Sequence, residues 1–210
     1  MQTPRTTPSR LAKRADYDPA TIYAILDDAL FCTVSYVADG QPMAIPTAFA
    51  RHQNKLYIHG SVGSHFIRQI AAGGPVCISV MLADGLVLAK SAFHHSVNYR
   101  SVVVFASAEP VTDEAEQLHA LALITDHLIP GRWADLRPTT TSELRKTTVV
   151  AFSLNEASAK LRTGGPSDDP ADEHLPTWSG VIPLETHRLA PVARPGDEAL
   201  PLPDYLVAKR

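Results

Sequence analysis

Two stretches of the chain crowd polar and charged groups against apolar runs, and both can carry chemistry. The first is Leu56-Tyr57-Ile58-His59-Gly60-Ser61-Val62-Gly63-Ser64-His65-Phe66-Ile67-Arg68. A β-rich run enters a Gly/Ser turn and leaves it as a helix. Glycines let backbone approach a ligand closely, Ser61 and Ser64 offer hydroxyls, and the first N–H groups of a helix suit a phosphate. The same residues also serve as helix punctuation, with Ser61 or Ser64 as N-cap and Gly60 and Gly63 making the turn. His59 stands at the strand end beside this turn, where an imidazole can exchange a proton near neutral pH. The second stretch is Phe93-His94-His95-Ser96-Val97-Asn98-Tyr99-Arg100-Ser101. Arg100 can grip a phosphate or carboxylate with two parallel hydrogen bonds, and Asn98 and Ser101 can hydrogen-bond a heterocycle. The alternative is a polar loop with Arg100 in a surface ion pair.

Other chemistries find less support. The nine histidines invite a metal. Yet His94 and His95 are adjacent, so on a strand they point to opposite faces, and His119 and His127 lie eight apart on one helix rather than four. No metal site is expected. There is no CxxC, HExxH, Walker loop, GxGxxG or GxSxG. Lys160 and Arg162 read most simply as solvated cations. Trp178 is either a plug for the preceding loop or an aromatic wall for a ligand.

The elements that position these residues follow from periodicity. Asp18-Pro19 opens a helix with Asp18 as N-cap, and Ile22, Ile25, Leu26 and Ala29 form its packing face. From residue 31 the period becomes two. Runs at 31–37, 43–51 and 56–59, separated by Asp39-Gly40 and a polar turn at 52–54, read as three consecutive antiparallel strands. A helix over 63–72 is stopped by Gly73-Gly74-Pro75. Strands are expected at 76–82 and 86–92, with Asp84-Gly85 as the turn between them, and again at 102–106. Asp113 with Glu116 predicts a capping box on a helix running to Leu128, with Leu118, Leu121, Ala122, Thr125 and Leu128 along one face. A polar helical turn near 139–146 and a last clear strand at 147–154 follow. Residues 163–176 combine Gly164, Gly165, Pro166, Pro170 and Pro176 with Asp168, Asp169, Asp172 and Glu173, which reads as an exposed loop. Residues 178–184 read as a short edge segment. Residues 1–15 read as a disordered tail and 185–210 as an extended, Pro-rich one, leaving one domain over 16–184. Strands following strands, with helices in the connections, predict a mainly β fold with flanking helices, closed or partly closed as an antiparallel barrel.

Composition sets the outer limits. Nineteen Lys and Arg against 22 Asp and Glu give a formal net charge of −3 over 210 residues. That balance disfavours a nucleic-acid binder acting through a broad basic surface. No stretch approaches the roughly 18 apolar residues of a membrane span. The basic N-terminus has no apolar stretch behind it, so no secretory signal is expected. Cys32 and Cys77 sit inside apolar runs and read as buried free thiols of a cytoplasmic protein.

The order of these segments resembles the FMN-binding split-barrel superfamily of the pyridoxamine-phosphate oxidases, and looks closest to the flavin-binding branch that includes the nitroimidazole-resistance proteins. The resemblance spans residues 18–184. It is carried by Pro46-Thr47-Ala48-Phe49, by His59-Gly60-Ser61-Val62-Gly63-Ser64-His65 before a helix, by 96–104, and by the helix ending in Leu128-Ile129-Pro130-Gly131-Arg132. Ala159-Lys160-Leu161-Arg162-Thr163-Gly164 and the 178–184 segment complete it. The resemblance implies a six-stranded antiparallel split β-barrel, a homodimer, and FMN bound where two subunits meet. It implies an oxidoreductase acting on a small organic molecule, with His59 as proton donor. Ser61, Ser64, His65 and Arg100 would serve the phosphate, with Arg68 or Lys90 as further sources of positive charge. Thr47, Asn98 and Ser101 would serve the ring or ribityl chain. Pro46, Gly60, Tyr99, Lys160, Arg162 and Trp178 complete the expected cofactor shell. At 64–66 the family's Ser-Arg-Lys becomes Ser64-His65-Phe66, so two phosphate-binding cations are replaced. The pyridoxal-phosphate residues of the oxidases are not recognisable. Two other readings fit the same barrel: a haem-binding or haem-handling protein, to which the histidines offer axial ligands, and a non-catalytic flavin carrier.

Overall fold

A computed structural model describes residues 2–207. The chain begins with β1 (Ala15–Asp16) and α1 (Pro19–Asp28), followed by β2 (Phe31–Ala38), β3 (Gln41–Ala48), β4 (Ala50–His52) and β5 (Lys55–Ser61). Then come α2 (His65–Ala71), the long strands β6 (Pro75–Leu88) and β7 (Ser96–Ser107), and β8 (Glu109–Pro110). The chain continues through α3 (Glu114–Leu128), α4 (Thr141–Arg145), β9 (Thr147–Ser153), β10 (Ala157–Arg162) and β11 (Gly180–Pro183).

All strand pairs are antiparallel and fall into two sheets. The first runs β1-β10-β7-β6-β2-β3, with β11 pairing the second half of β6; the second runs β4-β5-β9-β8. The chain passes from one sheet to the other at Phe49, which is fully buried between β3 and β4. The sheets face each other without closing into one ring, which makes the expected split barrel. Among the described residues seven strands are six residues or longer, one more than the six expected; β10 is the addition.

Alternation explains the core. Val34, Ile78, Val104 and Ala157 stand in one row across the first sheet and are fully buried. Leu56, Ile58, Val150 and Phe152 project from the second sheet into the same core, and Ile22, Ile25 and Leu26 of α1 close it. The opposite face of the second sheet, with Tyr57, Val149 and Ala151, is covered by Ala120 and Ile124 of α3. The outer face of the first sheet has no such cover: Phe31, Val37 and Met81 are each at least 60 % exposed there.

Several local expectations are corrected. Asp39-Gly40 makes the β2–β3 turn, with both residues at positive φ (50° and 74°). Asp84-Gly85 does not turn. It is a bulge inside the single strand β6, which pairs with β7 on both sides of it. Gly85 is needed there because a Cβ would stand 3.0 Å from Val181 and 3.2 Å from the Ile182 carbonyl of β11. The expected strand at 43–51 is two strands, broken at Phe49. On α3, Asp113 caps the N–H of Glu116 at 2.8 Å, but the Glu116 carboxylate turns to Lys55 and the Tyr57 hydroxyl, both at 2.9 Å. The complete capping box belongs to Thr140 and Glu143 on α4. The buried stripe of α3 runs through Ala120 and Ile124 rather than Leu118 and Ala122, because the helix lies on β4 and β5 by that face.

The ends of the chain make contacts of their own. In the segment expected as a disordered tail, Thr3 and Arg5 both hydrogen-bond Glu156, and Arg5 stacks over Phe105. In the C-terminal tail, Tyr205 accepts from Arg132 and donates to Asp135 beyond α3. No helix among the described residues is long and apolar enough to cross a membrane.

Candidate cofactor site

His59 lies two residues before the end of β5, opposite Val149, and the pairing with β9 continues through Gly60 and Ser61. Its ring meets solvent, yet enough protein surrounds it to disfavour the charged form and hold its pKa below the ordinary imidazole value. The turn that follows is built by the residues the sequence singles out. Ser61 Oγ accepts from the Gly63 N–H at 3.2 Å, and Ser64 Oγ caps α2 by accepting from Ile67 N–H at 3.4 Å. A Cβ on Gly60 would fall 2.6 Å from Cγ1 of the buried Ile67, so this glycine lets α2 lie against the strand. The punctuation reading of the turn is therefore fulfilled. The α2 surface still offers solvent His65 and Arg68.

The candidate cations fall into two groups. Arg100 is engaged by Asp84, with Nε 3.0 Å from one oxygen and Nη2 3.0 Å from the other, and by Asp28 at the end of α1. These hydrogen bonds raise its pKa further. Arg162 donates to Asn98 and to the Gly164 and Gly165 carbonyls, and Asn98 in turn donates to Gly164 at 3.0 Å. Lys90 Nζ donates to the carbonyls of Leu175 and Thr177, while its own N–H is received by Asp168. Arg100, Arg162 and Lys90 thus fasten the fold: the first ties the β6 bulge to α1, the other two pin the 163–176 loop. The side-chain cations of Arg68 and Lys160 make no hydrogen bond or ion pair among the described residues, while the Lys160 carbonyl accepts from the Ser101 hydroxyl at 3.1 Å.

Lys160 lies opposite Ser101, and Ser101 opposite the exposed Met81, on the uncovered face of the first sheet. The next row on that face is Thr33, Ser79, Val103 and Ser158. A side-chain cation without a partner among the described residues, a run of small hydroxyls and exposed apolar groups thus share one open surface. Tyr99 and Arg162 stand in register at its end. Thr47 is half-buried on the edge strand β3, where Pro46 is exposed. Trp178 is exposed and folds its ring over Gly180, where a Cβ would be 2.8 Å away. The structure therefore brings Ser101, Lys160, Tyr99 and Arg162 to one sheet face, and sets Lys90 and Trp178 apart at the β6–β11 end. Thr33, Ser79 and Ser158 were not singled out from the sequence. For Thr33 and Ser79 the signal was the alternation of small polar with large apolar residues in 31–37 and 76–80. Burial pushes the Cys32 thiol up to about 12 and raises Cys77 also, so neither favours the reactive thiolate.

The sequence profile of the pyridoxamine 5'-phosphate oxidases matches residues 18–161, from the cap of α1 into β10. The chain belongs to this family. Beyond the profile, this family member resembles two solved structures over almost its full length. The flavocytochrome Anf3 from Azotobacter vinelandii is 38% identical, with 97% of this chain and 95% of that one covered at a TM-score of 0.91. The FAD and heme binding protein from Mycobacterium smegmatis is 37% identical, with 92% and 95% covered at a TM-score of 0.88. A protein of Bacteroides thetaiotaomicron described as a candidate 5-nitroimidazole antibiotic resistance protein shares the fold at 22% identity, with 70% and 85% covered and a TM-score of 0.59. No curated protein matches the chain.

Proposed function

We propose that this chain binds a flavin and a haem and passes electrons between them as a small oxidoreductase. The observation that carries this reading is the reach of the similarity. The family profile ends at residue 161, whereas the flavocytochrome and the FAD and heme binding protein match 97% and 92% of the chain. Most of the chain beyond β10 is thus matched in two proteins named for haem as well as flavin. When bound, a flavin supplies hydride and single-electron transfer and a haem supplies a one-electron centre.

The residues fit a flavin on the open face of the first sheet. A flavin phosphate needs positive charge to offset its lost hydration, and the Lys160 ammonium has no partner among the described residues. Arg68 is a second uncommitted cation, on α2. Ser101, Thr33 and Ser79 offer hydroxyls to a ribityl chain or ring edge. Arg100, Lys90 and Arg162 act one step back, holding the surrounding strands and loop in place. His59, whose surroundings favour the neutral ring, takes up a proton from one partner and returns it to another during turnover. A second copy of the chain covers the exposed Phe31, Val37 and Met81, forming a homodimer with the flavin at its interface; FMN is the flavin the barrel resemblance favours.

An absorption spectrum of the purified protein, titrated with FMN, FAD and haemin in turn, tests the reading. Bands at about 370 and about 450 nm with the flavin, and a Soret band with haemin, are expected. Saturable flavin binding without a Soret band would leave a flavin protein and remove the haem. No spectral change with either would overturn the reading.

A further inference from the structure

A haem asks two things of a protein surface: an imidazole nitrogen with a free lone pair, and apolar side chains against the porphyrin plane. The ligating ring is held best when its other nitrogen donates to a fixed acceptor. A carbonyl oxygen only accepts, so a ring nitrogen bonded to one carries the hydrogen, and the lone pair of the neutral ring sits on the other nitrogen.

Two histidines are fixed in this way among the described residues. His127 Nε2 donates to the Ala29 carbonyl at 2.7 Å, but its ring packs 5.3 Å from the buried Phe49, between α3 and the core. His95 Nδ1 donates to the Ser91 carbonyl at 2.8 Å, and its ring is exposed, with Nε2 unengaged. Of the other rings, those of His59 and His174 have no hydrogen bond that fixes them among the described residues, and His65 Nε2 lies 3.5 Å from the Gln69 amide. His94 contacts the Ser91 hydroxyl at 3.1 Å and stacks edge-on against Phe93. His187 faces Glu185, and His52 and His119 lie ring to ring.

A second observation lies at the same end of the β6–β7 hairpin. Phe93, two residues before His95, is 87 % exposed, the most exposed aromatic side chain of the described residues. Leu86 and Ile182 pair directly across β6 and β11, and both are exposed. Trp178 lies over Gly180, which pairs with Leu88. Val87 pairs with Ser96, the residue after His95. Large apolar groups left in water on one hairpin end mark a surface that something covers.

We propose that His95, through Nε2, is an axial ligand of the haem iron, and that Phe93, Leu86, Ile182 and Trp178 flank the porphyrin. The assignment rests on the flavin–haem reading above and adds its iron ligand. It separates the two sites: the haem at the β6–β7 hairpin end, the flavin on the Ser101–Lys160 face.

Haemin titration of the full chain tests it, with His95→Ala, His95→Met and His94→Ala beside the unaltered protein. Unaltered protein and His94→Ala are expected to give the same saturating Soret band. His95→Ala weakens haemin binding by about tenfold or more, since loss of even an outer partner of a metal ligand costs that much. Added imidazole restores the original spectrum. His95→Met keeps a ligand but shifts the Soret and visible bands, which decides the matter even where the alanine variant folds poorly. Saturable FMN or FAD binding by each variant reports that the barrel is intact. Haemin binding by both His95 variants with unchanged affinity and spectrum would overturn the assignment while leaving the flavin–haem reading standing. No Soret band from the unaltered protein would overturn both.

Discussion

His59 and Gly60 are neighbours with opposite tasks. Burial behind the His59 ring lowers its pKa below the unfolded value of about 6.5. Between the folded and unfolded pKa values the unfolded chain therefore binds more protons, and stability falls as pH drops through that window. His59→Gln is expected to flatten the fall, as read by urea midpoints between pH 5 and pH 7, and an NMR titration of the ring should give a midpoint below that of a free imidazole. An equal slope in both proteins would remove the burial argument. Gly60 has no side chain to lose, only space. Gly60→Ala puts a methyl against Ile67 Cγ1, an overpacking expected to cost about 1–3 kcal/mol in urea unfolding, and Ile67→Ala in the same chain should recover part of it. The sequence made both residues conspicuous, because a strand end, a Gly/Ser turn and a helix cap are local. It did not reveal which cations were free. Arg100 meets carboxylates 16 and 72 residues away, and Lys90 meets carbonyls 85 and 87 residues away. Only the folded chain shows these charges already engaged.

At the scale of elements, one dipeptide has two outcomes. Asp39-Gly40 adopts positive φ at both residues and turns the chain; Asp84-Gly85 stays within a strand and bulges. The difference lies in the partner. β7 is long enough to pair with β6 on both sides of the bulge, so turning there would forfeit the outer pairs at Gly85, Leu86 and Val87. That long-range pairing is invisible to a local turn signal. β10 was missed for a related reason: its alternation is of alanine with serine and lysine, small residues whose burial depends on the sheet beside them. Helix starts were more legible, since a cap is read within four residues. Thr140 and Glu143 satisfy each other's backbone N–H groups at the start of α4, just before β9. Thr140→Ala is expected to cost about 1 kcal/mol in chemical denaturation, and Thr140→Ser to cost less. Equal stability of all three proteins would mean that α4 is held by Leu144 alone.

For the molecule as a whole, the split barrel was legible because hydrophobic alternation and the order of segments are global signals. The covering of its open face was not, since exposure is a property of the finished sheet. Phe31, Val37 and Met81 lie on that face in solvent. Phe31→Asp with Met81→Asp is expected to shift the sedimentation or light-scattering mass from dimer to monomer and to weaken flavin binding with it; a monomeric unaltered protein would remove the dimer. The crossing at Phe49 has a consequence for how the molecule comes into being. β2 with β3, and β6 with β7, are neighbours in the chain and can pair as soon as they are made. β5 is different: the strand that pairs along its whole length, β9, begins at Thr147, and β10 follows at Ala157 to flank β7. During synthesis the first sheet therefore nucleates early, while the second remains a lone β4–β5 hairpin, its apolar Leu56 and Ile58 lacking their final neighbours, until most of the chain has emerged.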